Sequence, residues 1–145
     1  MNIKDAHDFL DIKELEAFEK RINIQLPSEY REFILKHNGG KPVSNSFNFI
    51  DFDGKESNSL VHYFFSIHNE KSFDNLELTY EYYINEDRIP SYMLPIASDP
   101  FGNYICISTK EENYGKIYFC DHEMDTNDNL CFISNSFNEF LNMLK

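Results

Sequence analysis

The sequence predicts an α+β fold in which about four helices pack against a twisted, mainly antiparallel β-sheet of about six strands. Apolar residues recur every three or four positions in four segments, which is typical of amphipathic helices. Between the third and fourth segments lie short runs rich in aromatic and β-branched residues, separated by polar turns as in an antiparallel meander. No repeat or Gly/Ser linker interrupts the chain, so we expect residues 1–145 to form a single domain.

The first helix is predicted over 12–22. Apolar residues recur at helical spacing from Ile12 to Ile22. Asp11 precedes them, and a carboxylate at this position accepts hydrogen bonds from the unpaired amides of a first helical turn. A link of only a few residues leads to the second helix, so the two helices should be neighbours in space.

The second helix has both ends written into the sequence. Pro27 precedes its first turn, and the Ser28 hydroxyl is expected to cap it. Asn38-Gly39-Gly40 marks the end, because glycine reaches the left-handed conformation without a steric penalty, and we expect a positive φ at Gly39 or Gly40. The predicted buried stripe comprises Tyr30, Phe33, Ile34 and His37.

The middle of the chain predicts two strands and a third helix. After a polar loop over 41–46, Phe47 and Phe49 belong to a strand over 47–52 that ends in an acidic turn. Residues 60–67 favour a strand, which we expect to pair with 47–52. A helix should begin near Ser72 and end before Pro90.

The C-terminal part predicts a meander followed by a closing helix. A long polar hairpin loop is expected over 121–129. Ser136, with Glu139 three residues later, is a capping-box signature for the last helix. The predicted elements are strands over 94–97, 104–108, 116–120 and 130–133, and a helix over 136–144.

Composition indicates a globular chain with an aromatic core. Hydrophobic residues make up 41% and aromatic residues 16%, and 145 residues can bury a core without disulfides or metal. The three cysteines, Cys106, Cys120 and Cys131, lie in apolar runs without CxxC spacing and are interpreted as reduced core thiols. With neither a signal-peptide pattern nor a run of about 20 apolar residues, we predict a cytoplasmic protein.

The charge balance is strongly acidic. Asp and Glu number 25 against 13 Lys and Arg, for a formal net charge of −12. This balance disfavours direct binding to nucleic acid or anionic membranes and favours a basic protein partner. Residues 1–40 hold 8 acidic and 6 basic residues, so most of the excess follows the first two helices. Net charge also keeps proteins from aggregating, which is the alternative explanation.

The sequence predicts no catalytic residue, cofactor or metal site. There is no Gly-x-Ser-x-Gly motif, and Gly39-Gly40 follows a helix, whereas a phosphate-binding loop precedes one. The acidic loop 121–129 lacks the EF-hand pattern and its turn glycine. A hydrolase using Asp99 or His122 is retained as an alternative, although no second acid–base group stands at a motif spacing.

A protein-binding surface is the remaining candidate site. Acidic turns beside aromatic residues suit an interface, because the rings supply buried area and the carboxylates supply charge. Phe101 is interpreted either as an interface anchor or as a core residue. The alternative is that these turns lie on different faces of the molecule. The candidate partner-binding residues are Asp51, Asp53, Glu56, Asp99, Phe101, Asp121, Glu123 and Asp125.

Two motifs also carry a family resemblance. Leu26-Pro27-Ser28-Glu29-Tyr30, then Phe33-Ile34, then Asn38-Gly39-Gly40 resembles the opening signature of the Smi/Knr-like (SUKH) superfamily. The run from Leu94 to Ile107, with its Asp99-Pro100-Phe101-Gly102 turn, resembles the middle signature, but Pro100 and Phe101 before the glycine depart from it. The motifs keep the family's order, and the resemblance covers most of the chain.

The resemblance implies a non-enzymatic binding domain. Its commonest implied role in bacteria is that of an immunity protein that neutralises a cognate toxin, often a nuclease. A regulatory scaffold without a toxin partner is the alternative that the same resemblance implies. An acidic protein is compatible with the first role, because it can occupy the basic cleft that a nuclease uses for its substrate.

Overall fold

The structure of the protein is a computed structural model. It describes residues 1–124 and 129–145. Within these ranges, four α-helices, one short 3-10 turn and nine β-strands are present. The helices are α1 (Ile12–Ile22), α2 (Ser28–Lys36), α3 (Leu76–Asn85) and α4 (Phe137–Met143), and the 3-10 turn covers Glu111–Asn113. The α+β fold class predicted from the sequence is confirmed.

The strands form one main sheet and two small antiparallel pairs. The main sheet has the order β5-β6-β7-β8-β9, with every neighbouring pair antiparallel. Strand β1 pairs with β2, and β3 pairs with β4. The strands are β1 (Ile3–Lys4), β2 (Lys41–Pro42), β3 (Ser46–Ile50), β4 (Glu56–Leu60), β5 (Tyr63–Phe64), β6 (Met93–Ser98), β7 (Tyr104–Ser108), β8 (Ile117–Cys120) and β9 (Leu130–Ser134).

The ends of α1 follow its sequence signals, whereas one expectation for α2 is wrong. The Asp11 carboxylate accepts hydrogen bonds from the amides of Lys13 and Glu14, and the Glu14 side chain accepts one from the Asp11 amide in return. Helix α2 starts at Ser28, but Ser28 does not cap it. The residue before the helix is Pro27, whose carbonyl accepts from Arg31, so Ser28 already lies inside the first turn.

Both glycines after α2 have positive φ, as expected. The φ angles are 81° at Gly39 and 105° at Gly40. The backbone is also tightly packed there. A Cβ added at Gly39 would lie 2.6 Å from the Cβ of Ser66, and one added at Gly40 would lie 2.6 Å from the carbonyl oxygen of Lys4. Glycine therefore satisfies both the turn and the close approach of neighbouring chain segments.

The predicted partner of β3 is wrong. Strand β3 pairs with β4, from Ser46 opposite Leu60 to Ile50 opposite Glu56. The expected strand over 60–67 is reduced to β5, whose Tyr63 and Phe64 pair with β6. The polar sequence of β4 has low strand propensity, so its conformation depends on pairing across the hairpin.

The prediction of a polar loop over 41–46 is also only partly correct. Lys41 and Pro42 pair with Ile3 and Lys4, two residues near the N-terminus that carry no strand pattern. Strand pairs this short are specified by the tertiary neighbours of the chain and not by local periodicity.

Helices α3 and α4 were predicted with small differences at their starts. Helix α3 begins at Leu76, and its cap is Asn75, whose side chain accepts from the Leu78 amide. In α4 the Ser136 hydroxyl accepts from the Glu139 amide at 3.1 Å, as the capping signature predicts. The four strands of the meander occur where expected.

The main sheet is covered on both faces. Aromatic rings from α2 and α4 meet over one face, where Phe33 lies 4.9 Å from both Phe64 and Phe137 between ring centroids. On the other face, Met93 and Cys106 pack with half-buried residues of α3. The three cysteines are buried and unpaired, as predicted. None of the helices in the described ranges is long and apolar enough to cross a membrane.

Candidate partner-binding site

Three turns from distant parts of the chain meet around one cavity of about 270 Å³. They are the β3–β4 turn, the β6–β7 turn and the segment that follows β8. We call this site the acidic cavity, because three aspartates line it. Its lining residues are Phe49, Asp51, Phe52, Ser57, Asn58, Ser59, Asp99, Phe101, Asn103, Phe119, Asp121 and Cys131.

The β3–β4 turn is organised by the half-buried Asp51. One oxygen of its carboxylate, Oδ1, accepts hydrogen bonds from the amides of Asp53 at 2.9 Å and Lys55 at 3.0 Å. The Asp51 backbone also pairs with Lys55 across the turn. Within the described residues the other oxygen, Oδ2, makes no hydrogen bond, so one acceptor of Asp51 is available to a ligand.

The β6–β7 turn is built around Asp99, which is only 4% exposed. Its Oδ1 accepts from the amides of Phe101 at 2.9 Å and Asn103 at 2.8 Å. Its Oδ2 accepts from the Ser59 hydroxyl at 2.8 Å and the Asn103 side-chain amide at 3.0 Å. Both oxygens of Asp99 are therefore used within the fold, and its contribution to a partner is mainly its charge.

Asn103 connects the second turn to the third. Its side-chain oxygen accepts from the His122 amide at 3.0 Å and lies 2.6 Å from the His122 Nδ1. The neighbouring Asp121 accepts from the Glu123 amide through Oδ1. A guanidinium nitrogen of Arg88 donates to the His122 carbonyl at 2.5 Å. These bonds hold the start of the third turn against the second.

The floor of the acidic cavity is apolar. The rings of Phe49 and Phe119 stack with their centroids 4.4 Å apart, and both side chains are buried. Cys131 lies beside them. Burial raises the pKa of the Cys131 thiol, a hydrogen bond with the Phe52 backbone opposes this, and the negative charges of Asp121 and Asp51 raise the pKa further. Two of the lining carboxylates therefore act on the same thiol.

Two phenylalanines are exposed at the cavity. Phe101 is 69% exposed and Phe52 is 45% exposed. Of the two interpretations of Phe101, the core residue is excluded, because a core ring would be buried. An exposed phenylalanine next to carboxylates is the arrangement expected of an interface anchor.

The structure brings together half of the predicted site residues. Asp51, Asp99, Phe101 and Asp121 line the acidic cavity. The candidate residues that do not line it are Asp53, Glu56 and Glu123, which are exposed in or near its turns. Glu56 instead lines a neighbouring cavity of about 440 Å³ with Ile50 and Phe132. Asp125 lies outside the described residues.

Sequence reasoning missed the floor and part of the rim. Phe52, Asn103 and Cys131 were not among the predicted site residues, although each lines the acidic cavity. The alternation of β3 carried a signal for the floor, since Phe47 and Phe49 point to one face of that strand. No signal in the sequence placed that face next to Cys131.

The hydrolase alternative finds no acid–base pair at this site. The Nδ1 of His122 lies 2.6 Å from the side-chain oxygen of Asn103, so its hydrogen-bond partner there is an amide. Asp99 is occupied by four donors from the protein. Acid–base catalysis of this kind uses a second group that orients or protonates the first, and within the described residues no carboxylate is hydrogen-bonded to His122.

A second polar cluster lies where the N-terminal segment meets the start of α3. His7 Nε2 lies 2.7 Å from Asp74 Oδ2, and His68 Nε2 lies 3.4 Å from Asp74 Oδ1. The two imidazole rings stack with centroids 4.0 Å apart. We call this cluster, together with Asn38, the N-terminal seam. His7 and Asp74 are 67 positions apart in the chain, so no local motif connects them.

His7, His68 and Asp74 have the residue types of a metal site, but the hydrogen bonds indicate a different role. The Glu70 amide donates to the Nδ1 of His68 at 3.1 Å. The proton of a neutral His68 therefore lies on Nε2, which faces Asp74 and has no free lone pair for a metal. Ser72 donates to Asp74 as well, at 2.6 Å. The cluster is thus a hydrogen-bonded junction between chain segments.

One related protein and one protein family match this chain over most of its length. The SPbeta prophage-derived uncharacterized protein YokK of Bacillus subtilis (strain 168) is 33% identical over 147 residues, covering 89% of this chain and 71% of that protein. The chain matches the SMI1 / KNR4 family (SUKH-1) over residues 10–143. Because this match covers nearly the whole chain and agrees with the helix and turn motifs, the protein belongs to the SMI1 / KNR4 family (SUKH-1).

Proposed function

We propose that this protein is an immunity protein, which binds and neutralises a cognate toxin through the acidic cavity and the exposed carboxylates around it. Membership of the SUKH-1 family supports a non-catalytic binding role of this type. The single observation that carries the proposal is the convergence of Asp51, Asp99 and Asp121 at one cavity with an apolar floor and exposed phenylalanines.

The partner we propose is a basic protein surface, such as the substrate cleft of a nuclease. A net charge of −12 attracts such a surface over a distance and repels competing anions. Electrostatic attraction of this kind raises association rates from about 10⁵–10⁶ M⁻¹s⁻¹ toward 10⁸–10⁹ M⁻¹s⁻¹ at low salt. The apolar floor and exposed rings add the desolvated contact that slows dissociation.

The test is binding and inhibition of the toxin encoded next to this protein's gene. We expect the purified chain to abolish the toxin's activity, and the association rate to fall as salt is raised, because ions screen the attraction. Absence of both binding and inhibition would overturn the immunity role and leave the regulatory scaffold. An association rate independent of salt would overturn the acidic surface as the recognition element.

Charge reversals locate the surface. Asp53→Lys, Glu56→Lys and Glu123→Lys change exposed side chains and should together lower the association rate at least about tenfold. The matched control is reversal of three exposed glutamates that make no side-chain hydrogen bond or ion pair within the described residues: Glu32, Glu86 and Glu112. Equal losses from both sets would show diffuse net charge and not a defined surface.

Two groups of carboxylates are unsuitable for this test. Asp99 holds its own turn, so reversal there would disrupt the fold. On α1, Glu14 completes the helix cap, and Glu19 accepts from the Leu26 amide and pairs with Arg31 at 3.2 Å. Reversals of these residues would mix loss of stability with loss of binding.

A further inference from the structure

We propose that the acidic cavity is a receptor for one arginine side chain of the protein partner. The guanidinium would pair with Asp51 and Asp121 while its aliphatic stem and flat face contact the aromatic rings. This inference rests on the proposed function for the identity of the partner, but the chemistry of the cavity can be tested without the partner.

The carboxylates supply acceptors of the kind that a guanidinium binds. Asp51 and Asp121 line the same cavity from two different turns, and each uses only its Oδ1 for backbone amides. Within the described residues, their Oδ2 atoms make no hydrogen bond. Arginine presents several N–H donors in a rigid plane, so it can bridge two carboxylates at once.

The aromatic residues favour arginine over a small cation. The buried rings of Phe49 and Phe119 stack at the cavity, and the exposed residues Phe52 and Phe101 also line it. A metal ion gains little from such apolar surfaces, and a lysine ammonium gains a cation–π contact but lacks the flat face that stacks on a ring. The arginine stem is apolar and its guanidinium stacks on aromatic faces, so it uses both the floor and the rings.

The charges near the cavity exclude an anionic ligand. Among the described residues, three aspartates line the cavity and no basic residue does. Two basic residues lie in adjoining segments: the Lys55 amide donates to Asp51 Oδ1, and the Arg88 guanidinium donates to the His122 carbonyl, but neither residue lines the cavity. The lining therefore carries net negative charge, which a cationic side chain of the partner would complement.

The experiment is an NMR titration of the full chain with N-acetyl-arginine methylamide. We expect saturable amide shifts concentrated in 51–55, 99–103 and 121–124. The citrulline analogue has the same shape without the charge, and the lysine analogue has the charge without the planar fork. Both should bind at least about tenfold more weakly. Calcium chloride is a third comparison.

Variants make the test specific. Asp51→Asn and Asp121→Asn keep an oxygen for the backbone amides, and each should weaken the arginine analogue by about tenfold. Phe101→Ala removes an exposed ring and should weaken it by about two- to fivefold. The matched controls Glu86→Gln and Glu112→Gln should leave the affinity unchanged. Thermal melts of all five variants establish that each is folded.

Several outcomes would overturn this inference. Equal binding of the citrulline analogue would show an apolar cavity, equal binding of the lysine analogue would show a general cation site, and stronger binding of calcium would show a metal site. No localised shifts would exclude the receptor altogether. Toxin inhibition without arginine binding overturns this inference alone, whereas arginine binding without toxin inhibition overturns the proposed function alone.

Discussion

The N-terminal seam and the acidic cavity both use buried or half-buried aspartates, but they neutralise them differently. In the seam, Asp74 is bound by two imidazoles and the Ser72 hydroxyl. In the cavity, Asp51 and Asp121 receive only backbone amides, and each keeps one oxygen unbound within the described residues. A carboxylate that is satisfied internally stabilises the fold, and one that is left partly unsatisfied is available for recognition.

Asn38 in the N-terminal seam is a buried, uncharged side chain that is also satisfied by hydrogen bonds within the fold. It is 4% exposed, donates to the carbonyls of Asp8 and Ile67 and accepts from the Ile67 amide. The seam thus joins three distant chain segments through saturated hydrogen bonds. The cavity also joins distant segments, yet Phe52 and Phe101 are exposed there, and Asp51 and Asp121 each keep one oxygen without a hydrogen bond within the described residues.

The largest expected difference is between two phenylalanines. Phe33 packs on Phe64 next to the seam and is 8% exposed, so Phe33→Ala should lower the free energy of unfolding by about 3–5 kcal/mol. Phe101→Ala at the cavity should change it by less than about 0.5 kcal/mol. Urea denaturation measures both. Similar losses in the two variants would show that Phe101 supports the fold and would contradict its role as an exposed anchor.

The next largest difference in stability is expected between two aspartates that line the acidic cavity, Asp99 and Asp51. Asp99→Asn places an amide nitrogen where the Ser59 hydroxyl and the Asn103 amide now donate, and should lower the free energy of unfolding by about 1–3 kcal/mol. Asp51→Asn keeps its oxygen for the backbone amides and should lower it by less than about 0.5 kcal/mol. If denaturant midpoints fell equally, the division between structural and available carboxylates would be wrong.

The smallest effect concerns acid stability. Burial, the largest influence, raises the pKa of Asp74, but hydrogen bonds from Ser72 and His7 and the charge of the two imidazoles outweigh it, so the pKa lies below its ordinary value. A depressed carboxylate pKa stabilises the folded state above the unfolded-state pKa of about 3.9, and this contribution is lost as the pH falls through the lower folded-state value.

Asp74→Asn should therefore make the urea midpoint less dependent on pH below about 4 than it is in the parent protein. Asp53→Asn alters an exposed aspartate of the β3–β4 turn and serves as the control, with the parent's acid dependence retained. If the urea midpoint of Asp74→Asn depended on acidic pH as it does in the parent protein, the seam would not hold Asp74 in its ionised form.

The sequence by itself determined the helices and the turns, because their signals are local. Asp11 and Ser136 accept hydrogen bonds from amides two or three residues further on, and helices begin there. The two glycines after α2 adopt positive φ angles, and the helix ends just before them. The aspartates at 51 and 99 likewise organise turns of their own neighbours. The family motifs are built from these same local features.

Tertiary structure alone decided which segments meet. The polar strand β4 pairs with β3 through the hairpin, and His7 meets Asp74 across 67 positions of the chain. Likewise, Phe101 is exposed and Phe49 is buried, although both are phenylalanines beside an aspartate-containing turn. Burial depends on neighbours that are distant in sequence. The acidic cavity exists only because the β3–β4 hairpin and the main sheet bring the turns of Asp51 and Asp99 and the residue Asp121 to one place.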